Sequence, residues 1–469
     1  MATATSRLGL LMPEADDLAV DAITGIPTAL NGNFLAIDRA IAGASLNVRH
    51  FGAIGDGAND DTPAIQAALD AANAAGRGLV VIPPGSYRLT TYLTVRSYTT
   101  ISAYGAYLFG LGSHSLLRNF SLIGTPDSFP GYTGNSYITV MGGIWDNRGH
   151  LAASDVKNNC ITFNHGRRIT CVDMTVRNVA SYHGIELNSI DGGRVLNCRA
   201  EGFTDNSALA NRAHSEAFQV DCAGVGSSTI GPWDNTPSRD ILIMGCSAGP
   251  AVDGSGMGTW GSLAGSHTTP IGGYYDHIRV VNCSALSGTL TYGVHAQGWR
   301  DSLIGGNTLA SPGASGVYVE GGLTGVIVTN NVIRSSGSNA IRSDQVGVLI
   351  EGNYIISTVT NNGIYLDGAI HNVIRGNRIE NAASASIRLA NASTNAFISG
   401  NKLARGGITT NAISLANAAI GAIIVGNDMK GQGWTNTTWV NSGTTAAPVI
   451  THANATLPNP SVGTGDNWI

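Results

Sequence analysis

The sequence predicts an all-β fold in which the chain winds as one stacked parallel β-solenoid. Three observations carry that expectation. First, a heptad recurs through the C-terminal half: GVHAQGW (293–299), GVYVEGG (316–322), AIRSDQV (340–346), GIYLDGA (363–369), SIRLANA (386–392) and AISLANA (412–418). Second, about a dozen residues after each heptad comes a phrase built around Asn307, Asn331, Asn353, Asn377, Asn401 or Asn427, at separations of 24, 22, 24, 24 and 26 residues. Third, apolar and polar residues alternate within each phrase, without helical spacing, over a period typical of solenoids. One turn cannot bury its apolar side alone, so each must stack on its neighbours.

The repeat extends backwards with altered letters. Cys283, Cys246, Cys198 and Met174 occupy the Asn slot in earlier turns, and Gly143 fits one before those. These ladders read as structural: Asn supports tight turns through its side-chain amide, and a small thiol packs inside. Roughly ten such rungs make a rod of about 50 Å at the spacing of adjacent strands. The chain has 469 residues, 62 of them Gly, only 12% charged, with a formal net charge of −5 and Lys at three positions. That composition offers no basic nucleic-acid footprint. No apolar run approaches the 20 or so residues of a membrane span. The N-terminus shows no basic-then-apolar leader, so export by the general route is not expected. None of the six cysteines forms a CxxC pair, which predicts buried free thiols.

In chain order, residues 1–46 read as an attachment segment. Ile26, Leu30, Phe34, Ile37 and Ile41 give an amphipathic helix over 26–42, with Pro27 in its first turn. Residues 47–430 form the solenoid. Its opening, NVRHFGAIGDGANDDTPAIQAALDAANAAGRGLVVIPPGSYRL, contains a tight turn at Gly55–Gly57 and a helix over 62–75, with Thr62 as N-cap and Pro63 behind it. Ile65, Ala68, Leu69 and Ala72 share one face of that helix, which shields the open end of the first rung. Asp56, Asp60 and Asp61 read as turn and capping residues. Residues 431–469, with Trp434, Trp439 and Trp468, leave the rung period and read as a cap or tail at subunit contacts.

This opening resembles the pectate-lyase-superfamily domain related to family 28 glycoside hydrolases, whose signature is an FGAxGDGxxDDTxAIQxAI run followed by a VxxPxGxY strand. The match is close over 48–90, and the rungs extend the likeness to about residue 430. The resemblance implies a right-handed parallel β-helix. RLGLLMPEADD and LNGNFLAIDRAI, within residues 6–42, resemble N-termini of tail proteins from phages of actinobacteria. Together the resemblances imply a phage tail spike or fibre. Such a protein sits in the virion, is commonly a homotrimer, contacts tail or baseplate proteins through its N-terminus, and takes a host cell-surface polysaccharide as partner. Neither nucleic acid nor membrane insertion is expected.

Strand alternation places candidate functional residues. Ile185 and Leu187 point inward, which turns Glu186 and Asn188 outward. The same phase turns out Gln219 and Asp221, His295 and Gln297, Tyr318 and Glu320, Arg342 and Asp344, Tyr365 and Asp367, and Arg388. Two columns on one outer face thus carry the groups that bind sugar hydroxyls. Rung lengths show extra residues at 200–216, 223–240 and 250–275, which flank Glu186, Asp221 and His295 and bring Trp233, Trp260, Tyr274, Tyr275, His214 and His277. SYHGIELN (181–188) aligns with HSEAFQVD (214–221) at an offset of 33, which sets Glu186 beside Gln219 and His183 beside Glu216. Glu186 and Asp221 are then roughly 8 Å apart along the backbone, compatible with the two carboxylates of an inverting glycosidase. The catalytic candidates are Glu186 and Asp221 as acid and base, Glu216 as substitute, and His183 and His214 as tuning groups. The substrate-binding candidates are Gln219, Trp233, Trp260, His295, Tyr318, Glu320, Arg342, Asp344, Tyr365 and Asp367. No cofactor or metal is expected for a hydrolase. In the rival β-elimination, Arg212, Arg342 or Arg388 would serve as base, and Glu186, Glu216 and Asp221 could hold one Ca2+. A receptor-binding or structural tail protein without activity is the alternative class, and a cellular polysaccharide enzyme a third reading.

Overall fold

The computed structural model describes residues 45–112, 114–120, 129–224, 232–404, 411–415, 419 and 421–429, with the backbone of 3–4, 11–12 and 450–452. The helix expected over 26–42, and Trp434, Trp439 and Trp468, lie outside the described residues. The expected solenoid is present. Three long sheets run the length of the coil, of 15, 13 and 12 strands, here called sheets A, B and C. Apart from the backbone hairpin Thr3–Ala4 with Leu11–Met12, every described strand pair is parallel, and strands of each long sheet join in strict sequence order. One turn of the coil runs through sheet A (Leu303–Gly305), sheet B (Thr308–Ala310) and sheet C (Val317–Glu320), then back to sheet A at Ile327–Thr329. Fifteen strands at about 4.8 Å give a run of roughly 67 Å. The coil is longer than expected because its first rungs, back to Leu46–Asn47, lack the Asn or Cys signature.

Inward positions repeat rung after rung. Ile304, Val328, Ile350, Ile374, Ile398 and Ile424 form one column in sheet A, and Val317, Ile341, Ile364, Ile387 and Ile413 form another in sheet C; all are fully buried. β-branched side chains suit such stacks, being stiff and fitting the pleat. Burial of each is worth about 1.5–3 kcal/mol relative to exposure.

The Asn ladder marks the corner between sheets A and B. Asn353 Nδ2 donates to Val328 O (2.9 Å) and to Asn377 Oδ1 (3.0 Å), while its Oδ1 accepts from the N–H and Nδ2 of Asn331 (3.0 and 2.9 Å). The same pattern joins Asn307, Asn377, Asn401 and Asn427. The residue before each rung's Asn is left-handed, as at Gly352 (φ 65°) and Asn330 (φ 54°), the turn that Gly and Asn tolerate best. All six cysteines are free and buried, as expected; Cys198, Cys246 and Cys283 continue the ladder by donating to backbone carbonyls.

The capping helix spans Thr62–Ala74 and lies against the first strands of sheets A and C. Its buried face is the expected Ile65, Ala68, Leu69 and Ala72. One detail differs. Asp61, not Thr62, holds the N-cap position, and Thr62 begins the helix. Asp60 Oδ1 accepts from the Thr62 N–H (3.0 Å) and Oγ1 (2.6 Å), while Asp61 Oδ1 accepts from the Ile54 N–H (2.6 Å), so the acidic run fastens the turn to the helix. At the far end, strand Ile450–His452 pairs with Ile423–Val425, extending sheet A beyond residue 430, where the period was expected to stop.

Candidate active site

Sheet C carries the two predicted columns, and its pairing register can be followed residue by residue. Glu186 pairs with Gln219 and Asn188 with Asp221, at the expected offset of 33. Further along, His295 pairs with Tyr318, Tyr318 with Arg342, Arg342 with Tyr365, and Tyr365 with Arg388. Gln297 pairs with Glu320 in the second column.

One rung escaped the sequence reading. Residues 250–275, expected to be a loop excursion, contain a sheet C strand, Ser262–Gly265, between the Asp221 and His295 rungs. Its outward slot is Gly265, where an added Cβ would meet His295 O at 2.5 Å. Just beyond it comes His267, which no repeat pattern had marked. The only signal was GSLAGSH, a weak strand cue because Gly, Ser and Ala have low strand preference.

His267 completes a buried cluster. Its Nδ1 lies 3.2 Å from Glu216 Oε2, and His183 Nδ1 lies 3.2 Å from the same oxygen. The Glu216 side chain is fully buried, that of His183 nearly so, and that of His267 is 23% exposed. The rings of His183 and His267 stack at 5.2 Å, and His214 tilts against His267 at 5.1 Å. Burial would raise the Glu216 carboxyl, but the charge of His267 and hydrogen bonds from His183 and His267 hold it well below the usual carboxylate range. Conversely, burial works to lower His267, and Glu216 outweighs it, pushing the imidazole up to about 9. Burial pushes His214 down to about 4.

The other two carboxylates are held differently. Glu186 Oε2 accepts from Asn159 Nδ2 at 2.5 Å, and Asn159 Oδ1 accepts the His183 N–H at 2.9 Å, so one amide positions both residues. Burial raises the Glu186 carboxyl, with His183 opposing. Asp221 accepts from Tyr275 Oη (2.5 Å), the Cys222 N–H (2.8 Å) and Gln219 Nε2 (2.9 Å); its Oδ2 lies 3.8 Å from His267 Nδ1. Glu186, Glu216 and Asp221 thus share three consecutive rungs with His183 and His267. Asn159 and His267 were missed from sequence because no outward candidate was marked on the rungs that carry them: Asn159 lies just before Ile161–Asn164 and His267 just after Ser262–Gly265.

The binding candidates divide. Trp260 is corrected: it is fully buried, packs against Phe203 with ring centroids 5.3 Å apart, and presents no surface to a ligand. A bulky aromatic beside Gly184 is better buried in the coil than exposed on it; a Cβ on Gly184 would meet Trp260 at 3.2 Å. Trp233 is 42% exposed. Gln219 is buried and braces Asp221. The later rungs form a self-paired face rather than a row of free groups. Glu320 accepts from His295 Nε2 (2.7 Å) and Tyr318 Oη (2.6 Å), and Arg342 bonds both Asp344 and Asp367 (2.8 Å each). The His295 and Tyr318 rings stack at 5.2 Å and 5°, the Arg342 guanidinium lies 4.6 Å from the Tyr318 centroid, and Tyr365 is 5.9 Å from the same guanidinium.

Comparison with known proteins agrees with this architecture. Residues 45–231 match the family model "Rhamnogalacturonase A/epimerase, pectate lyase-like", and residues 272–429 match "Right handed beta helix region". Over 44 residues, 9% of this chain and 2% of the relative, the sequence is 66% identical to mannuronan C5-epimerase AlgE3 of Azotobacter vinelandii. Over 66 residues it is 47% identical to AlgE4 of that bacterium, 14% of this chain and 12% of the relative. The chain therefore spans only a small part of those relatives. Among solved structures, the surface adhesin PfbA of Streptococcus pneumoniae aligns over 82% of this chain and 89% of its own, with a TM-score of 0.60 and 16% identity. A tailspike protein mutant of E. coli bacteriophage HK620, in complex with a hexasaccharide, aligns over 82% and 72%, with a TM-score of 0.57 and 15% identity. At such identity these likenesses speak for the fold alone. The ordered parallel rungs and the two matching family models show a right-handed parallel β-helix whose first part, residues 45–231, matches a pectate-lyase-like domain.

Proposed function

We propose that this protein is a phage tail spike that binds a host cell-surface polysaccharide along the outer face of sheet C and cleaves it by glycoside hydrolysis. The supporting observation is the cluster of Glu186, Glu216 and Asp221 with His183 and His267 on successive rungs, continuous with the aromatic and ionic face from His295 to Arg388. Glu186 is the general acid: its raised carboxyl keeps a proton where an ordinary one would lose it. It protonates the glycosidic oxygen as the bond to the anomeric carbon breaks. Asp221 takes a proton from the water that adds to that carbon. Glu216 stays ionised and positions His267. Tyr318, Tyr365 and Arg342 supply stacking and ionic contacts for further sugar units, with His295, Glu320, Asp344 and Asp367 fixing them. His214 borders the site through its ring contact with His267, and the exposed Trp233 is offered as a further sugar contact. In this reading residues 1–46 join the protein to tail or baseplate partners, the chain works as a homotrimer in the virion, and hydrolysis itself needs no cofactor.

β-Elimination is the second reading. One observation favours it: short stretches resembling mannuronan epimerases and, at 61% identity over 44 residues, alginate lyase 7 of A. vinelandii. Arg342 suits the base role poorly, being held between two carboxylates. The test is a Glu186→Gln, Glu216→Gln and Asp221→Asn series, with binding and cleavage of purified host polysaccharide measured separately. Glu186→Gln should keep binding and lose cleavage by about 100-fold or more. New reducing ends without unsaturated uronate indicate hydrolysis; unsaturated ends indicate elimination. Cleavage unchanged in all three variants removes this site, and binding without cleavage in the unmodified protein makes it a receptor-binding spike.

A further inference from the structure

We infer that His183, Glu216 and His267 form a binding site for one divalent first-row transition-metal ion, with Zn2+ the best match to the donor set. These three are a group whose ligand atoms all lie within 4.8 Å of one another. Both imidazole Nδ1 atoms stand 3.2 Å from Glu216 Oε2. Ligands at about 2.0 Å from a tetrahedral Zn2+ are separated by about 3.3 Å, so those two spacings need little adjustment. Two nitrogens and one carboxylate suit Zn2+ and its neighbours, whereas Ca2+ takes oxygens.

A second observation points to a missing partner. Glu216 Oε1, the other oxygen of the same carboxylate, is buried with no hydrogen-bond partner; an ion bound by both Glu216 oxygens would give it one, and leaving a buried charged oxygen unpaired is costly. The Glu216 N–H reaches His183 Nδ1 at 3.2 Å, a long contact that an ion would replace. The ligands come from three consecutive rungs: His183 just before Ile185–Asn188, Glu216 opening Glu216–Asp221, and His267 just after Ser262–Gly265. An ion here would clamp the three rungs beneath the proposed cleavage site. The partly exposed His267 gives it a way in.

The inference stands apart from the glycan reading, because its readout is bound metal. The full-length protein, stripped with a chelator, is titrated with Zn2+ by calorimetry, and with Co2+ by visible absorption. We expect one ion per chain, an intense tetrahedral Co2+ band, and a rise in thermal midpoint on adding Zn2+. His267→Ala and Glu216→Gln should each weaken affinity by about 100-fold or more, beyond the usual effect of losing an outer partner. Should buried Glu216→Gln fail to fold, His267→Gln, at a partly exposed position, decides. No stoichiometric Zn2+ in the unmodified protein, or equal affinity in the His267 variants, would overturn the site and leave a Glu–His ion pair only.

Discussion

Replacing Asn353 with Ala tests whether the asparagine corner holds the coil together. Asn353 is 1% exposed. The substitution strips both the N–H and the Nδ2 of Asn331 of the acceptor they share, removes one donor from Val328 O, and ends the amide contact with Asn377. The backbone bond from Asn353 N–H to Asn377 Oδ1 remains. An orphaned buried polar group costs about 1–3 kcal/mol, so two of them set a loss of about 2–6 kcal/mol. The void left by the amide adds to it. The control is Asn361→Ala, whose exposed amide donates to Ser338 Oγ at 2.8 Å and whose loss should stay within about 0.5 kcal/mol. Guanidinium unfolding followed by tryptophan fluorescence compares the two. A loss below about 1 kcal/mol for Asn353→Ala would mean that the ladder accompanies the coil without stabilising it.

Three further outcomes follow from the same geometry. Tyr275→Phe removes a hydrogen bond to the buried Asp221 carboxylate and should lower unfolding stability by about 1.5–3 kcal/mol, the range for bonds to charged groups; an unchanged midpoint would refute the bracing role. Trp260→Ala should cost about 3–5 kcal/mol as a core truncation, whereas Trp260→Phe should leave glycan affinity unchanged; a loss of affinity in folded Trp260→Phe would restore it to the binding face. Burial would raise Asp253, but bonds from Ser255 and Asn178, with Arg177 nearby, hold its carboxyl down at about 2. Because the folded value lies below the unfolded one of about 3.9, its contribution is present above that pH and is lost as pH falls towards 2. The stability gap between the unmodified protein and Asp253→Asn should therefore narrow between pH 5 and pH 2, and a gap that widens on acidification would contradict this sign.

Repetition made the coil legible. Each Asn, Cys and inward Ile recurs because adjacent rungs impose the same environment on the same slot, so one chain displays its own pattern many times. Alternation then turned Glu186, Gln219, Asp221 and the His295–Arg388 columns onto one face, and the pairing register agrees. The rung carrying Gly265 and His267 was hidden, because small residues in its strand give neither period nor strand preference. Trp260 was misplaced for a related reason: a long insertion reads as surface, but its aromatic ring can turn back into the coil.

By itself, then, the sequence determined the winding, its axial order, the helix that closes its start and which side chains look outward. Those properties depend on neighbours one period away along the chain. Tertiary structure alone decided that Asn159 fixes Glu186, that Tyr275 fastens Asp221, and that His267 meets Glu216. Those contacts join residues 27, 54 and 51 positions apart, across rungs whose connecting segments differ in length. Where the spacing between turns is irregular, only the closed backbone sets which side chains meet.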